Sequence, residues 1–218
     1  MGFLLFTANA VTAQQQYIWN EKSQQIYESI TSLRIPEARK FIAIETKSNT
    51  NNLVNPMLES YADFYELFLN EDAAEYNKLK PQFEKRIRQF EAGPKNTPFY
   101  LYSLGLEYLH KSIAAIRFDE TWDAAWDFRK AYYLFKDNRK TYPNFTPNDV
   151  YFGVMTSVVG TIPKGYQWIA KILGLNGKIN EGNDLVLKYI NSKDELSKRC
   201  RNEALLIYPY LLMNFEGN

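Results

Sequence analysis

Helical periodicity is the feature that most constrains the fold of this chain. Apolar residues recur at intervals of three and four along most of its length, and proline and glycine cluster between the periodic segments. This pattern predicts an all-α fold. The predicted helices, ten in all, cover residues 17–33, 36–46, 55–69, 72–90, 98–118, 121–141, 147–159, 164–173, 179–190 and 194–214. Asn55 and Thr97 each precede a proline and are predicted N-caps.

The first thirteen residues have the composition of a secretory signal peptide. They carry no charge, are apolar at positions 3–6, and end in Val11-Thr12-Ala13 before three glutamines. We predict cleavage after Ala13, which leaves 14–218 as a single helical-repeat domain. The basic residues that usually open such a signal are absent, so we expect a truncated one. Export of a cysteine-poor chain rich in Asn, Lys and Tyr favours a bacterial periplasm or cell envelope.

An internal repeat is the next signal along the chain. Leu101, Leu104, Gly105 and Tyr108 stand at the spacing of the W-x2-L-G-x2-Y half of a tetratricopeptide repeat, with leucine in place of tryptophan. The same spacing occurs 43 residues earlier, at Leu58, Tyr61, Ala62 and Tyr65. Small residues at Gly105 and Ala62 would let a paired helix approach closely, while large neighbours fill the flanking grooves.

The segments that follow extend the resemblance. Ala124, Phe128 and Ala131 have the small–aromatic–small spacing of the second repeat helix. Next come a glycine-led helix from Gly153, a proline-started helix after Pro163, and an LGxxG turn before Glu181-Gly182. The chain therefore resembles the tetratricopeptide-like family that includes the yeast inclusion-body clearance factors and their exported bacterial relatives of Bacteroidetes type. This resemblance implies an antiparallel helix-hairpin solenoid and a non-enzymatic interaction role, and it brings no catalytic residues.

Composition argues against several classes of function. Because the net charge is only +1 and we find no basic stripe, we predict no nucleic-acid partner. With one His and one Cys, the usual zinc sites cannot form, and we predict no metal, no cofactor and no catalysis. Glu107 and His110 form an E-x-x-H, but a di-iron site needs a second copy of that motif.

The acidic cluster from Asp119 to Asp127 offers an enzymatic alternative. Asp119, Asp123 and Asp127 recur every four residues, and we interpret them as helix-start and solvated residues. A cofactor-free enzyme that uses two of these carboxyl groups remains the rival hypothesis. Trp122 and Trp126 lie on the same helix, where we expect them to pack against the preceding helix.

We predict a protein- or peptide-binding scaffold. If the repeat unit aligns as above, the groove-facing positions form one set of candidate partner-binding residues: Glu59, Asp63, Leu67, Tyr102, Leu106 and His110. The alternative is a lipid-associated envelope protein that contacts the membrane surface through the apolar segment 150–173. We expect the residues 150–163 to be buried. The apolar end, 204–215, predicts self-association, contact with a partner, or further chain beyond it.

Overall fold

The computed structural model describes residues 14–215 and shows an all-α protein. The predicted signal peptide, residues 1–13, lies outside the described residues. A short 3-10 helix, Lys164–Tyr166, leads directly into the eighth α-helix. In chain order the α-helices are α1 (Glu21–Thr31), α2 (Ile35–Ser48), α3 (Val54–Asn70), α4 (Ala73–Glu91), α5 (Pro98–Arg117), α6 (Thr121–Thr141), α7 (Pro147–Gly160), α8 (Gln167–Leu173), α9 (Ile179–Ile190), α10 (Glu195–Arg199) and α11 (Arg201–Phe215).

Several predicted helix boundaries agree with the structure, including the starts of α5 and α7 at Pro98 and Pro147. The bounds of α6 and α9 agree with the predicted ranges. The last predicted helix, however, is divided at Cys200 into α10 and α11. Side chains of α1 use the carbonyl groups at this break, since Gln24 Nε2 donates to Arg199 O and Tyr27 Oη donates to Cys200 O, each at 2.9 Å. Tertiary hydrogen bonds therefore compete with helix continuation there.

One of the two predicted N-caps is confirmed. The Thr97 side chain accepts a hydrogen bond from Phe99 N at the start of α5. The prediction for Asn55 is wrong, because α3 already begins at Val54. The Asn55 amide instead donates to Asn49 O at 3.0 Å and fastens the preceding loop.

Two pairs of helices approach closely at glycines. A Cβ on Gly105 of α5 would lie 3.0 Å from the Phe135 ring of α6, and a Cβ on Gly153 of α7 would lie 2.7 Å from Gly182 O of α9. The predicted close approach at Gly105 is confirmed. The resulting α5–α6 and α7–α9 contacts are the most extensive in the molecule.

Helix α11 packs on this framework without burying all of its apolar surface. It contacts α9, α7 and α1, and Ala204 and Leu211 are fully buried. Its other side leaves Leu206, Tyr210 and Met213 exposed at intervals of one helical turn. The predicted burial of the 150–163 segment is confirmed for α7, most of which lies in the core.

Candidate functional site

A buried ionic network joins α3, α4 and α5. Arg86 donates from Nη1 to Asp63 Oδ2 at 2.7 Å and from Nε to Glu107 Oε1 at 2.8 Å. The three side chains are almost completely buried. Arg39 of α2 adds a second cation, which lies 2.9 Å from Asp63 Oδ1. Burial raises the pKa of the Glu107 carboxyl, while the Arg86 guanidinium opposes the rise. The network thus fixes the relative positions of four consecutive helices.

A cluster of buried hydroxyl groups surrounds a second carboxyl group. Tyr151 Oη donates to Glu203 at the start of α11, and Tyr61 shares a hydrogen bond with Tyr151. The hydroxyl groups of Tyr61 and Tyr102 lie 3.3 Å apart. Burial raises the pKa of Glu203 to about 7, although the hydrogen bonds from Tyr151 and Tyr61 oppose that rise. These contacts connect α11 to α3, α5 and α7.

An apolar cavity of about 380 Å³ lies beside this hydroxyl cluster. It opens between α3, α5 and α7 on one side and α11 on the other, and nearly all of its wall is aliphatic or aromatic. The lining residues are Phe64, Tyr65, Phe68, Leu109, His110, Ile113, Tyr151, Val154, Val158, Glu203, Leu206, Ile207, Tyr210, Leu211 and Phe215. An apolar cavity with a few polar groups in its wall is the usual form of a binding site.

The polar groups of the cavity wall are held in place by their neighbours. His110 Nδ1 and Ser60 Oγ share a hydrogen bond of 2.8 Å, and the imidazole stacks on the Phe64 ring with 4.4 Å between centroids. Burial lowers the pKa of His110 to about 3, so the imidazole is neutral at physiological pH. Glu203 is protonated in part near neutrality. The cavity wall therefore presents hydrogen-bonding groups but no fixed positive charge.

Three helices contribute matching pairs of residues to this wall. Phe64 and Phe68 of α3, Leu109 and Ile113 of α5, and Val154 and Val158 of α7 are spaced four residues apart within each pair. Corresponding members of successive pairs are separated by 45 residues. This interval differs by two residues from the 43-residue interval that relates Leu58 to Leu101 in the sequence.

The structure disperses the six predicted partner-binding residues. Asp63, Leu67, Tyr102, Leu106 and His110 are buried, and Glu59 is half-buried. Only His110 lines the cavity. Asp63 belongs to the ionic network, Tyr102 to the hydroxyl cluster, and Leu67 to a small apolar cluster between α3, α4 and α5. Direct contact of a partner with the other four buried side chains would require the helices to separate.

Sequence reasoning missed the other cavity residues for a definable reason. A register of 43 residues places Tyr102 opposite Glu59, whereas the cavity aligns Leu109 with Phe64 and His110 with Tyr65. The available signal was the recurrence of apolar pairs four residues apart. The same pattern is also typical of ordinary core helices, so it does not by itself single out a cavity.

The acidic cluster at the start of α6 lies elsewhere, and its three aspartates differ in environment: Asp119 and Asp123 are exposed, whereas Asp127 is buried. Glu120 pairs with Lys80, and Asp127 Oδ2 lies 3.0 Å from Lys111 Nζ. The expected packing of Trp122 and Trp126 is wrong, because these side chains are 73% and 52% exposed. Both lie in the first two turns of α6.

The environment of the single cysteine, Cys200, limits its reactivity. Burial raises the pKa of the Cys200 thiol to about 12, so little thiolate is present at neutral pH. Within residues 14–215, no three or more His, Cys, Asp or Glu side chains gather where they could hold a metal ion. Across the same residues, no helix is both long and apolar enough to cross a bilayer.

Comparison with known proteins adds no relative. No protein-family model, no curated protein and no solved structure matches the chain.

Proposed function

We propose that this chain is an exported, non-catalytic helical-repeat scaffold that binds a protein or peptide partner. The single observation that carries the proposal is the open apolar cavity between α3, α5, α7 and α11. Its guest is an aromatic or aliphatic side chain of the partner, because the wall is apolar and offers no cation to an acidic group. Desolvated apolar anchors of this type supply most of the affinity at protein interfaces.

Two observations support a repeat architecture of the tetratricopeptide type. The cavity-lining pairs recur every 45 residues on α3, α5 and α7, as equivalent positions of stacked repeats would. In addition, α3 contacts α1 and α5 while each of these helices also packs against its successor in sequence. A solenoid of helix hairpins, with its first helices facing the cavity, would produce this pattern of contacts.

Exposed apolar residues at the cavity rim support a partner larger than a small molecule. Leu206 and Tyr210 line the cavity and are also about half exposed, and Met213 continues their stripe along α11. A partner whose side chain enters the cavity would cover this stripe as well. The predicted self-association through 204–215 would use the same surface, with a second copy of the chain as the partner.

Site-specific photo-crosslinking tests the proposal. A benzoylphenylalanine in place of Leu206 should crosslink to one protein in extracts of the native cell envelope, identified by mass spectrometry. Val158→Trp, which obstructs the cavity without adding charge, should abolish that crosslink while leaving the far-UV circular dichroism and the melting temperature nearly unchanged. The same photoreactive residue in place of Trp122 is the matched control, because Trp122 is more exposed than Leu206 but does not line the cavity.

Two results would contradict the proposal. The first is a Leu206 crosslink that persists in the Val158→Trp background, since the partner would then not enter the cavity. The second is recovery of a lipid, and no protein, by native mass spectrometry of the purified chain. That result would assign the cavity to an acyl chain.

A further inference from the structure

A second surface of the molecule combines exposed aromatic and aliphatic residues with positive charge. It consists of α8 and the 3-10 turn before it, and we call it the α8 patch. Tyr166, Trp168 and Ile172 are 61%, 55% and 68% exposed. Lys164 and Lys171 are also exposed, and neither forms a salt bridge within residues 14–215.

The helical geometry places most of these residues on one face. Trp168, Lys171 and Ile172 are separated by three and four residues within α8, and Lys164 lies in the 3-10 turn that leads into it. The opposite face is the one that packs, because Ala170 and Leu173 are buried. The outward face of this helix is therefore apolar and basic, whereas outward faces of helices in soluble domains are usually polar.

Hydrogen bonds from α6 hold the patch in position. Arg129 Nε donates to Leu173 O, and Tyr133 Oη donates to Gly174 O, each at 2.8 Å. Gly174 ends the helix with a φ of 66°, a left-handed conformation that suits glycine. The patch is thus presented by a fixed helix and not by a loose loop.

Charge identifies the kind of partner that this surface fits. Residues 150–180 contain three lysines and no acidic residue. Segments that lie in the headgroup region of a bilayer are typically rich in tryptophan, tyrosine and aliphatic side chains flanked by lysine, and the α8 patch has this composition. Anionic lipid complements the lysines, with an attraction that salt screens.

We infer that the α8 patch binds the surface of an anionic membrane, with Trp168 and Ile172 at the boundary between headgroups and acyl chains and Lys164 and Lys171 against lipid phosphates. This site corrects the broader prediction for 150–173. Most of α7 is buried and cannot touch lipid, so the contact is confined to the end of that segment. The inference is independent of the proposed cavity, which the α8 residues do not line.

Vesicle flotation of the full chain tests the inference. Vesicles of phosphatidylcholine with phosphatidylglycerol are compared with vesicles of phosphatidylcholine alone, at low and high salt. Lys164→Gln with Lys171→Gln should lower the partition coefficient on anionic vesicles about 30-fold, because each lysine near such a surface contributes about fivefold. Trp168→Ala should lower it about tenfold.

Matched controls keep the result interpretable. Trp122→Ala removes a tryptophan that is more exposed than Trp168 and lies among acidic residues, and it should leave partitioning unchanged. Because residues 1–13 are present in every variant, any lipid affinity of that segment is common to all of them. The substituted side chains are exposed, so a thermal melt should show that each variant remains folded.

The inference is overturned if the α8 variants float as well as the unchanged chain, if neutral and anionic vesicles bind equally, or if no vesicle is bound. It is also overturned if Trp168→Ala abolishes binding to a protein while vesicle partitioning stays the same, because the patch would then be a protein interface.

Discussion

Removal of the Arg86 side chain is the most direct test of the ionic network. In Arg86→Met, the Glu107 carboxyl loses its cation in a site with no solvent exposure, whereas Asp63 retains Arg39 at 2.9 Å. Removal of one partner from a buried ion pair costs about 3–5 kcal/mol, because the remaining group must stay charged without a partner or take up a proton. We expect Arg86→Met to lower the free energy of unfolding by about that amount at neutral pH.

The loss should depend on pH in a defined direction. Burial raises the pKa of Glu107 to about 7 even beside Arg86, and without Arg86 only the Ser60 hydroxyl opposes that rise. The folded variant therefore holds the carboxyl protonated, and the free-energy cost of that proton uptake falls as the pH is lowered. At low pH the cost should fall toward the loss of two hydrogen bonds, about 1–3 kcal/mol. Urea unfolding, followed by circular dichroism at several pH values, measures both quantities.

A double substitution separates charge from lost packing. Arg86→Met with Glu107→Gln removes the ionisable carboxyl as well as the cation. The double variant should therefore lose about 2 kcal/mol less stability than the two single variants lose together. Arg34→Met is the surface control. It breaks the exposed pair with Glu37 and should cost less than about 1 kcal/mol. If Arg86→Met costs no more than Arg34→Met, or if the double variant shows additive losses, the network does not hold the helices as argued.

Three further predictions concern other parts of the molecule. Burial raises the pKa of Glu203 from 4.5, its value in the unfolded chain, to about 7. The stability that the protonated carboxyl contributes is therefore fully present below pH 4.5 and is lost as the pH rises through 7. Glu203→Gln should flatten the pH dependence of urea unfolding in that window by about 3 kcal/mol. Gly182→Ala should lower the melting temperature by several degrees at a cost of about 1–3 kcal/mol, because its Cβ would lie 2.5 Å from Ser157 N, whereas Gly165→Ala meets no atom within 4 Å and should not lower it. Cys200 should react with iodoacetamide at pH 7 much more slowly in the folded chain than in urea, and equal rates, measured by intact mass, would contradict its burial.

Local signals made most of the helices predictable from the sequence. Pro98 and Pro147 each follow a loop and mark a helix start that depends only on nearby residues. The bounds of α6 and α9 follow from the apolar periodicity. The break at Cys200 was not predictable, because it depends on hydrogen bonds from α1 to carbonyl groups about 175 residues away.

The site itself was predictable only in part. His110 was identified as groove-facing and does line the cavity, but apolar residues at turn spacing do not reveal whether the space between helices is filled. The exposure of Trp122 shows the same limit, since tryptophan in a helix is usually buried and only the tertiary arrangement shows what lies beside it.

The position of α11 links the hydroxyl cluster to the cavity. An apolar helix with little amphipathic character could pack in several rotational settings at similar free energy, so its sequence alone does not specify which residues face inward. The Glu203 carboxyl removes that ambiguity, because it must meet the hydroxyl groups of Tyr151 and Tyr61 or remain buried without partners. With Glu203 fixed, Leu206 and Tyr210 necessarily lie one and two turns further along the same side, at the cavity rim. The cluster therefore sets the shape of the cavity, and a substitution at Glu203 should alter that shape even when the chain remains folded.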